Sequence, residues 1–274
     1  MNVRKIIFNV RKIIFIVTVA TFVALIAGCY FDKADSSKSV IDGEDINAYV
    51  SYAKARSVWD YPIKPGSDEW RVTSYDYKVE KSQPPKDLLG KWSTETLFNY
   101  CVDYPFNKVT LLFNNPNDGF KRAYEESEVW QEFIKRVDAV DIFVQYFEDR
   151  SYYKLFEMKD LEERNNELFT LFFLEKIVSE TDFLVHIDDS NKRKLTATIF
   201  LSHQSKIDYP DEFIGFHYNS SLSALLKILE SNQVEISTDV VSLQELRQKT
   251  NNGYFADFDV EPYIFERIVT YLNH

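Results

Sequence analysis

The chain has 274 residues, a net charge of −11 at neutral pH, 45% hydrophobic and 16% aromatic residues. That composition excludes a disordered chain, and the acidity excludes a protein drawn by charge to nucleic acid or anionic lipid. With seven glycines and eight prolines, it also lacks the material for a phosphate-cradling loop, a G-x-S-x-G elbow or the frequent turns of an all-β sandwich. The chain therefore reads as mainly α.

The first element is a leader in three parts. Arg4, Lys5, Arg11 and Lys12 form a positive region with no acidic residue before Asp32. Ile13 to Ala27 is apolar apart from Thr18 and Thr21, which is the length of a signal core and short for a membrane span. Small Ala27 and Gly28 then precede Cys29. This order resembles the signal peptide of bacterial lipoproteins. The resemblance implies cleavage between Gly28 and Cys29, removal of residues 1–28, and lipidation of Cys29 through a diacylglyceryl thioether and an N-acyl chain such as palmitate. The alternatives are an ordinary secretory signal cut near Gly28 and an uncleaved anchor. Within the leader, Asn2 to Phe8 is repeated residue for residue as Asn9 to Phe15, a short duplication to which no function is attached. Losing the leader removes four basic residues and no acidic one, leaving 28 basic against 43 acidic and a net charge of −15. Lipid is then the membrane attachment, since each buried methylene contributes about 0.8 kcal/mol and a second acyl chain makes anchoring stable.

Residues 29–44 read as a flexible polar tether, and residues 45–274 as one helical domain with a possible internal boundary near 150–165. Ile46, Tyr49, Val50 and Ala53 fall on one face of a first helix from Asp45 to near Ser57. Pro62 and Pro65-Gly66 break the chain, after which Ser67, Ser74, Ser93, Ser127 and Asp138 each stand where a helix starts. Pro84-Pro85 leads a short turn through Leu88-Leu89, and the helix from Ser93 runs to about Tyr104, stopped by Pro105. Leu168 to Val178 is apolar nearly all round, so it is the enclosed centre of the core. Leu195 to Leu201 carries Thr196, Thr198 and Ile199, which favour a strand, but its surroundings favour a helix. Leu222 to Leu229 forms a helix after Ser220-Ser221. Ser242 with Glu245 reads as a capping box for a helix ended by Gly253. Asp259 with Pro262 opens the last one. Short helices joined by short links predict an irregular multi-helix bundle or an α-solenoid-like array. No repeat of 30 to 45 residues stands out.

The stretch Asp60-Tyr61-Pro62-Ile63-Lys64-Pro65-Gly66-Ser67-Asp68-Glu69-Trp70 is followed by Pro85-Lys86-Asp87-Leu88-Leu89, by Ser93-Thr94-Glu95-Thr96-Leu97 and by Tyr104-Pro105. Together these resemble an uncharacterised group of exported bacterial proteins that share a Tyr-Pro-Ile-Lys-Pro-Gly-Ser-x-Glu-Trp opening. The similarity covers about Asp60 to Asp149. Some relatives carry a further Cys-His-Ser-Tyr-Ala-Trp motif, and this chain has no cysteine after Cys101. The resemblance implies an exported, membrane-anchored cell-envelope protein and brings no activity with it.

No catalytic residue, metal ligand or cofactor is assigned. Cys101 falls in an apolar helical pattern with Leu97, Phe98 and Val102 and reads as a core thiol. The histidines at 186, 203, 217 and 274 form no metal or triad spacing and read as surface or core residues, with His203 and His217 the best candidates for a general base. Asp257, Asp259 and Glu261 offer oxygen ligands without EF-hand spacing, and Asp259 is better placed as a cap. Glu125-Glu126 and Glu162-Glu163 read as solvated helix faces. Tyr75, Tyr77, Tyr152, Tyr153, Tyr254 and Phe255 are candidates for a protein- or glycan-binding face. The expected function is a non-catalytic binding module anchored through lipid on Cys29, with no nucleic-acid partner. The alternative is a hydrolase of envelope polymers.

Overall fold

The computed structural model describes residues 59–150, 152–208, 215–235, 242–250 and 261–273. These belong to one compact unit that spans Tyr52 to His274. The leader, Gly28, Cys29, the tether and the expected helix from Asp45 lie outside the described residues, as do Gly253, Tyr254, Phe255, Asp257, Asp259 and His274. Among the described residues there are thirteen α-helices, two 3-10 turns and no strand, so the domain is mainly α. No helix among them is long and apolar enough to cross a membrane.

The first four helices are short because each is started by a serine or a proline and stopped within three turns. They are α1 (Asp68–Val72), α2 (Tyr75–Lys81), α3 (Lys86–Leu89) and α4 (Thr94–Val102). The Oγ of Ser67, Ser74 and Ser93 accepts the backbone N–H of Trp70, Tyr77 and Thr96 respectively, at 3.1, 3.4 and 3.1 Å, each satisfying a donor the helix cannot. Gly66 turns the chain with φ of +88°, a conformation open to glycine without cost. Trp70 is half-buried against Phe106, at 5.1 Å between ring centroids, so it lies at the edge of the core.

Helix α4 ends at Val102, before the expected Tyr104, and Asn107 completes it. The Asn107 amide donates to the carbonyls of Cys101 and Val102 at 2.7 and 3.1 Å, and its Oδ1 accepts from Trp130 Nε1 at 3.0 Å. One side chain thus closes a helix end and fixes the largest buried ring. The segment between Pro105 and Ser127, in which the sequence suggested no element, holds a 3-10 turn (Asn107–Leu112) and α5 (Pro116–Glu125). Asn115 caps α5 and Pro116 occupies its first turn, a start signal that is plain once noticed. Next come α6 (Glu128–Phe133), capped by Ser127, and α7 (Ala139–Asp149). Asp138 stands before α7 without capping it. Its carboxylate instead accepts from Thr94 Oγ1 at 2.6 Å, tying α7 to α4.

After α8 (Tyr152–Glu157) comes the core helix α9 (Leu161–Glu180), buried from Leu168 to Val178. Phe173 meets Phe120 of α5 and Trp130 of α6, at 4.8 and 5.2 Å between centroids. A 3-10 turn (Phe183–His186) leads to α10 (Asp189–Asp208). This helix resolves the ambiguity at Leu195–Leu201: Thr196 and Thr198 return their hydroxyls to the carbonyls of Lys192 and Lys194, a local bond that reconciles threonine with a helix. The remaining helices are α11 (Gly215–Ser231), α12 (Leu243–Thr250) and α13 (Glu261–Asn273). Ser220 and Ser221 lie inside α11 rather than before it. Helix α9 packs most extensively on α11 and also against α5 and α8, while α10 packs on α7, α8, α11 and α13. The result is an irregular bundle around α9.

Candidate functional site

The most concentrated chemistry lies where α9, α10 and α11 meet. Helix α9 carries the run Leu-Phe-Phe-Leu-Glu-Lys-Ile-Val, and its full enclosure buries Glu175 and Lys176 with their apolar neighbours. From α10, Ser202, His203 and Lys206 occupy one face at helical spacing. From α11, Ser220, Ser221, Ser223 and Ala224 are small and buried, which lets that helix seat closely and places hydroxyls where a carboxylate needs donors.

Lys206 Nζ donates to Glu175 Oε1 and Oε2 at 2.9 and 2.7 Å and to Ser221 Oγ at 3.2 Å. Each ammonium proton has an acceptor. Glu175 also accepts from Ser220 Oγ and, at 3.5 Å, from Ser202 Oγ. His203 Nδ1 shares a proton with Ser221 Oγ across 2.7 Å. Glu175, His203, Lys206 and Ser221 are all 0% exposed.

Burial sets the protonation of this cluster. It pushes the Glu175 carboxyl up from its ordinary range, with the charge and hydrogen bond of Lys206 opposing. It pulls the Lys206 ammonium down, with Glu175 opposing. His203 is held well below the ordinary value of 6.5, first by burial and then by the positive charge of Lys206. A neutral imidazole on a serine hydroxyl, with an ammonium on the same oxygen, has the components of an activated nucleophile. Enclosed as it is, the arrangement also serves as a fully bonded ionic tie between three helices.

The second feature is an open groove of about 270 Å³ between the end of α9, the middle of α11 and α12. Ser179, Glu180, Ser223, Leu226, Lys227, Glu230, Arg247 and Thr250 line it. Three of its four charged side chains, Glu180, Glu230 and Arg247, are held by ion pairs. Arg247 grips Glu230 with two hydrogen bonds of 2.8 and 2.9 Å, and Glu180 holds the buried Lys176 at 2.9 Å. Ser223 Oγ donates to the Thr250 carbonyl at 2.9 Å, joining α11 to α12.

The remaining sequence candidates scatter. His186 is exposed on its 3-10 turn. His217 falls in the first turns of α11, and its side chain lies outside the described set. Glu162 and Glu163 are exposed in the first turn of α9. Glu126 departs from the solvated reading: it is half-buried and accepts from Tyr75 Oη and from Arg122 Nε, the latter at 3.2 Å. Tyr75 is therefore occupied within the protein, and Tyr77 is exposed. The side chains of Tyr152 and Tyr153 are outside the described set. Cys101 is fully buried, and burial pushes its thiol well above the ordinary range, which leaves it inert. Among the described residues no three His, Cys, Asp or Glu side chains gather as a metal site.

Sequence reasoning named His203 and missed its partners. The available signals were a Glu-Lys pair inside the most apolar helix and a Ser-Ser pair on the small-residue face of α11. Compared with family models, curated proteins and solved structures, the chain gives no match.

Proposed function

We propose that the chain is a lipid-anchored cell-envelope protein whose helical domain is a non-catalytic binding module for a protein or glycan partner. The leader ending in Ala27-Gly28-Cys29 supports the anchor. The binding reading rests on the groove between α9, α11 and α12, where charges of both signs are held in place by internal ion pairs. Preorganised polar groups at an open surface favour recognition because little ordering is left to be done on binding.

A photocrosslinking residue at Lys227, in cells carrying the intact chain, tests the binding reading. We expect one discrete adduct, lost when Arg247→Glu disrupts the groove wall and retained when exposed Val72 is changed to Glu. Equal crosslinking in all three backgrounds would overturn it. For the anchor, mass spectrometry of the mature N-terminus should find an acylated Cys29. An unmodified Cys29, or a start elsewhere, refutes that part.

A second reading, a hydrolase acting on envelope polymers, is favoured by the 2.7 Å approach of His203 Nδ1 to Ser221 Oγ. A fluorophosphonate probe decides between the two. Labelling of the folded protein that disappears in Ser221→Ala supports the hydrolase, and, because Ser221 is enclosed, failure to label together with no turnover of purified envelope polymer supports the binding module.

A further inference from the structure

The groove between α9, α11 and α12 presents its charges unequally. Its two carboxylates are recessed and engaged: Glu180 is 16% exposed against Lys176, and Glu230 is 15% exposed against Arg247. Its two cations stand outward. Arg247 is 56% exposed, and Lys227 is exposed and meets no carboxylate among the described residues. With Lys176 behind Glu180, three cations stand against two carboxylates. In a chain of net charge −11, the charge that this groove offers to solvent is positive.

Arg247 is also only half used. A guanidinium carries five N–H donors in a planar fork. Glu230 takes one from Nε and one from Nη2. That grip fixes the plane of the fork and leaves the edge formed by Nη1 and the second Nη2 proton for another acceptor. Two parallel N–H groups on one edge match the two oxygens of a carboxylate. Leu226 is the one apolar residue among the eight that line the groove, enough to pack the methylene stem of such a group. The volume of about 270 Å³ falls below the roughly 300–1,000 Å³ of pockets that enclose a whole small ligand. One side chain therefore fits better than an oligosaccharide. No aromatic residue is among the eight for a sugar ring to stack on.

We propose that this groove receives an aspartate or glutamate side chain of a protein partner, with Arg247 as its bidentate donor and Lys227 as the second cation. This rests on the groove being the binding surface of the domain, and it assigns the partner to protein rather than glycan. Glu230 is then a positioning residue, since it holds the fork in the plane that the incoming carboxylate meets.

NMR titration of the full chain in detergent, with nitrogen-15-labelled arginine, tests the site. The probe is N-acetyl-glutamate amide, and its neutral isostere N-acetyl-glutamine amide is the control at equal ionic strength. The Arg247 Nε–H, held by Glu230, reports binding, and Arg247→Lys assigns its signal. We expect a saturable shift with half-saturation at about 10–30 mM, as exposed ion contacts give, and a response at least tenfold weaker to the neutral isostere. Lys227→Gln, a change at an exposed side chain, should weaken the glutamate probe about threefold. Equal responses to both probes, no saturation, or an unchanged response in Lys227→Gln each overturn the site. Glucuronate, a carboxylate carried on a sugar ring, is the third probe, and tighter binding of it than of the glutamate probe overturns the assignment to protein. A crosslinker at Lys227 leaves Arg247 in place and tests the groove itself. An adduct without a saturable glutamate shift therefore refutes the carboxylate site alone, and absence of both refutes the groove as well.

Discussion

Replacing Lys206 by methionine removes the ammonium and leaves Glu175 sealed at 0% exposure. At 2.7 Å and an effective dielectric of about 20, the lost attraction is roughly 6 kcal/mol. The desolvation of two ions, several kcal/mol each, is of similar size. The intact pair is therefore near break-even, whereas the orphaned carboxylate is not. Its escape is to take a proton. From the ordinary value of 4.5, protonation at pH 7 costs about 1.36 kcal/mol per pH unit, or about 3.4 kcal/mol in all. The same step at pH 5 costs about 0.7 kcal/mol. Lys206→Met should thus destabilise the protein by about 3–4 kcal/mol at pH 7, with the penalty shrinking to about 1 kcal/mol at pH 5. The double variant Glu175→Leu/Lys206→Met should recover most of the loss at pH 7. Denaturant titrations of wild type and both variants at the two pH values measure these differences. A pH-independent penalty, or a double variant worse than the single, would refute the account of the pair as a balanced ionic tie.

Other expectations follow from packing. A Cβ on Gly119 would lie 2.6 Å from the Thr110 carbonyl oxygen and 2.7 Å from its Cα. Backbone cannot yield there, so Gly119→Ala should cost about 1–3 kcal/mol in thermal denaturation. Gly90, with nothing within 4 Å of its virtual Cβ and a helical backbone, is the control. Gly90→Ala should be neutral or stabilise by about 0.4–1 kcal/mol, and equal losses at both positions would contradict the steric argument. Cys101 should resist maleimide in the folded protein at pH 8 and react in denaturant. With Cys29 acylated, one thiol per chain reacts after unfolding, whereas two would argue against the lipid. Ser127→Ala removes the acceptor of the Trp130 N–H and should cost about 1 kcal/mol in the same melts.

Helix starts were legible because a cap is a local device. Ser67, Ser74, Ser93, Ser127 and Ser242 each act on the backbone three residues ahead, and that offset survives in one dimension. The centre of the core was legible for a similar reason, since a run apolar on every side can only be enclosed. Asp138 stands at the start of its helix, as its position in the sequence indicates, but the sequence does not reveal its side-chain partner Thr94, 44 residues away.

The candidate site was the least legible part. Glu175, Lys206 and Ser221 are ordinary surface types by composition, and His203 was one of four equivalent histidines. They become a site because three helices bring residues separated by 31 and 15 positions within hydrogen-bonding distance and shut out water. Burial changes their chemistry, by pushing the carboxyl up and the ammonium and imidazole down. The sequence alone determined a helical chain, the start of most helices and an apolar centre, because those follow from neighbours along the backbone. Only the tertiary structure decided which polar groups are sealed together and which remain in an open groove. Desolvation and ion pairing depend on what surrounds a group in space, and no spacing along the chain encodes that.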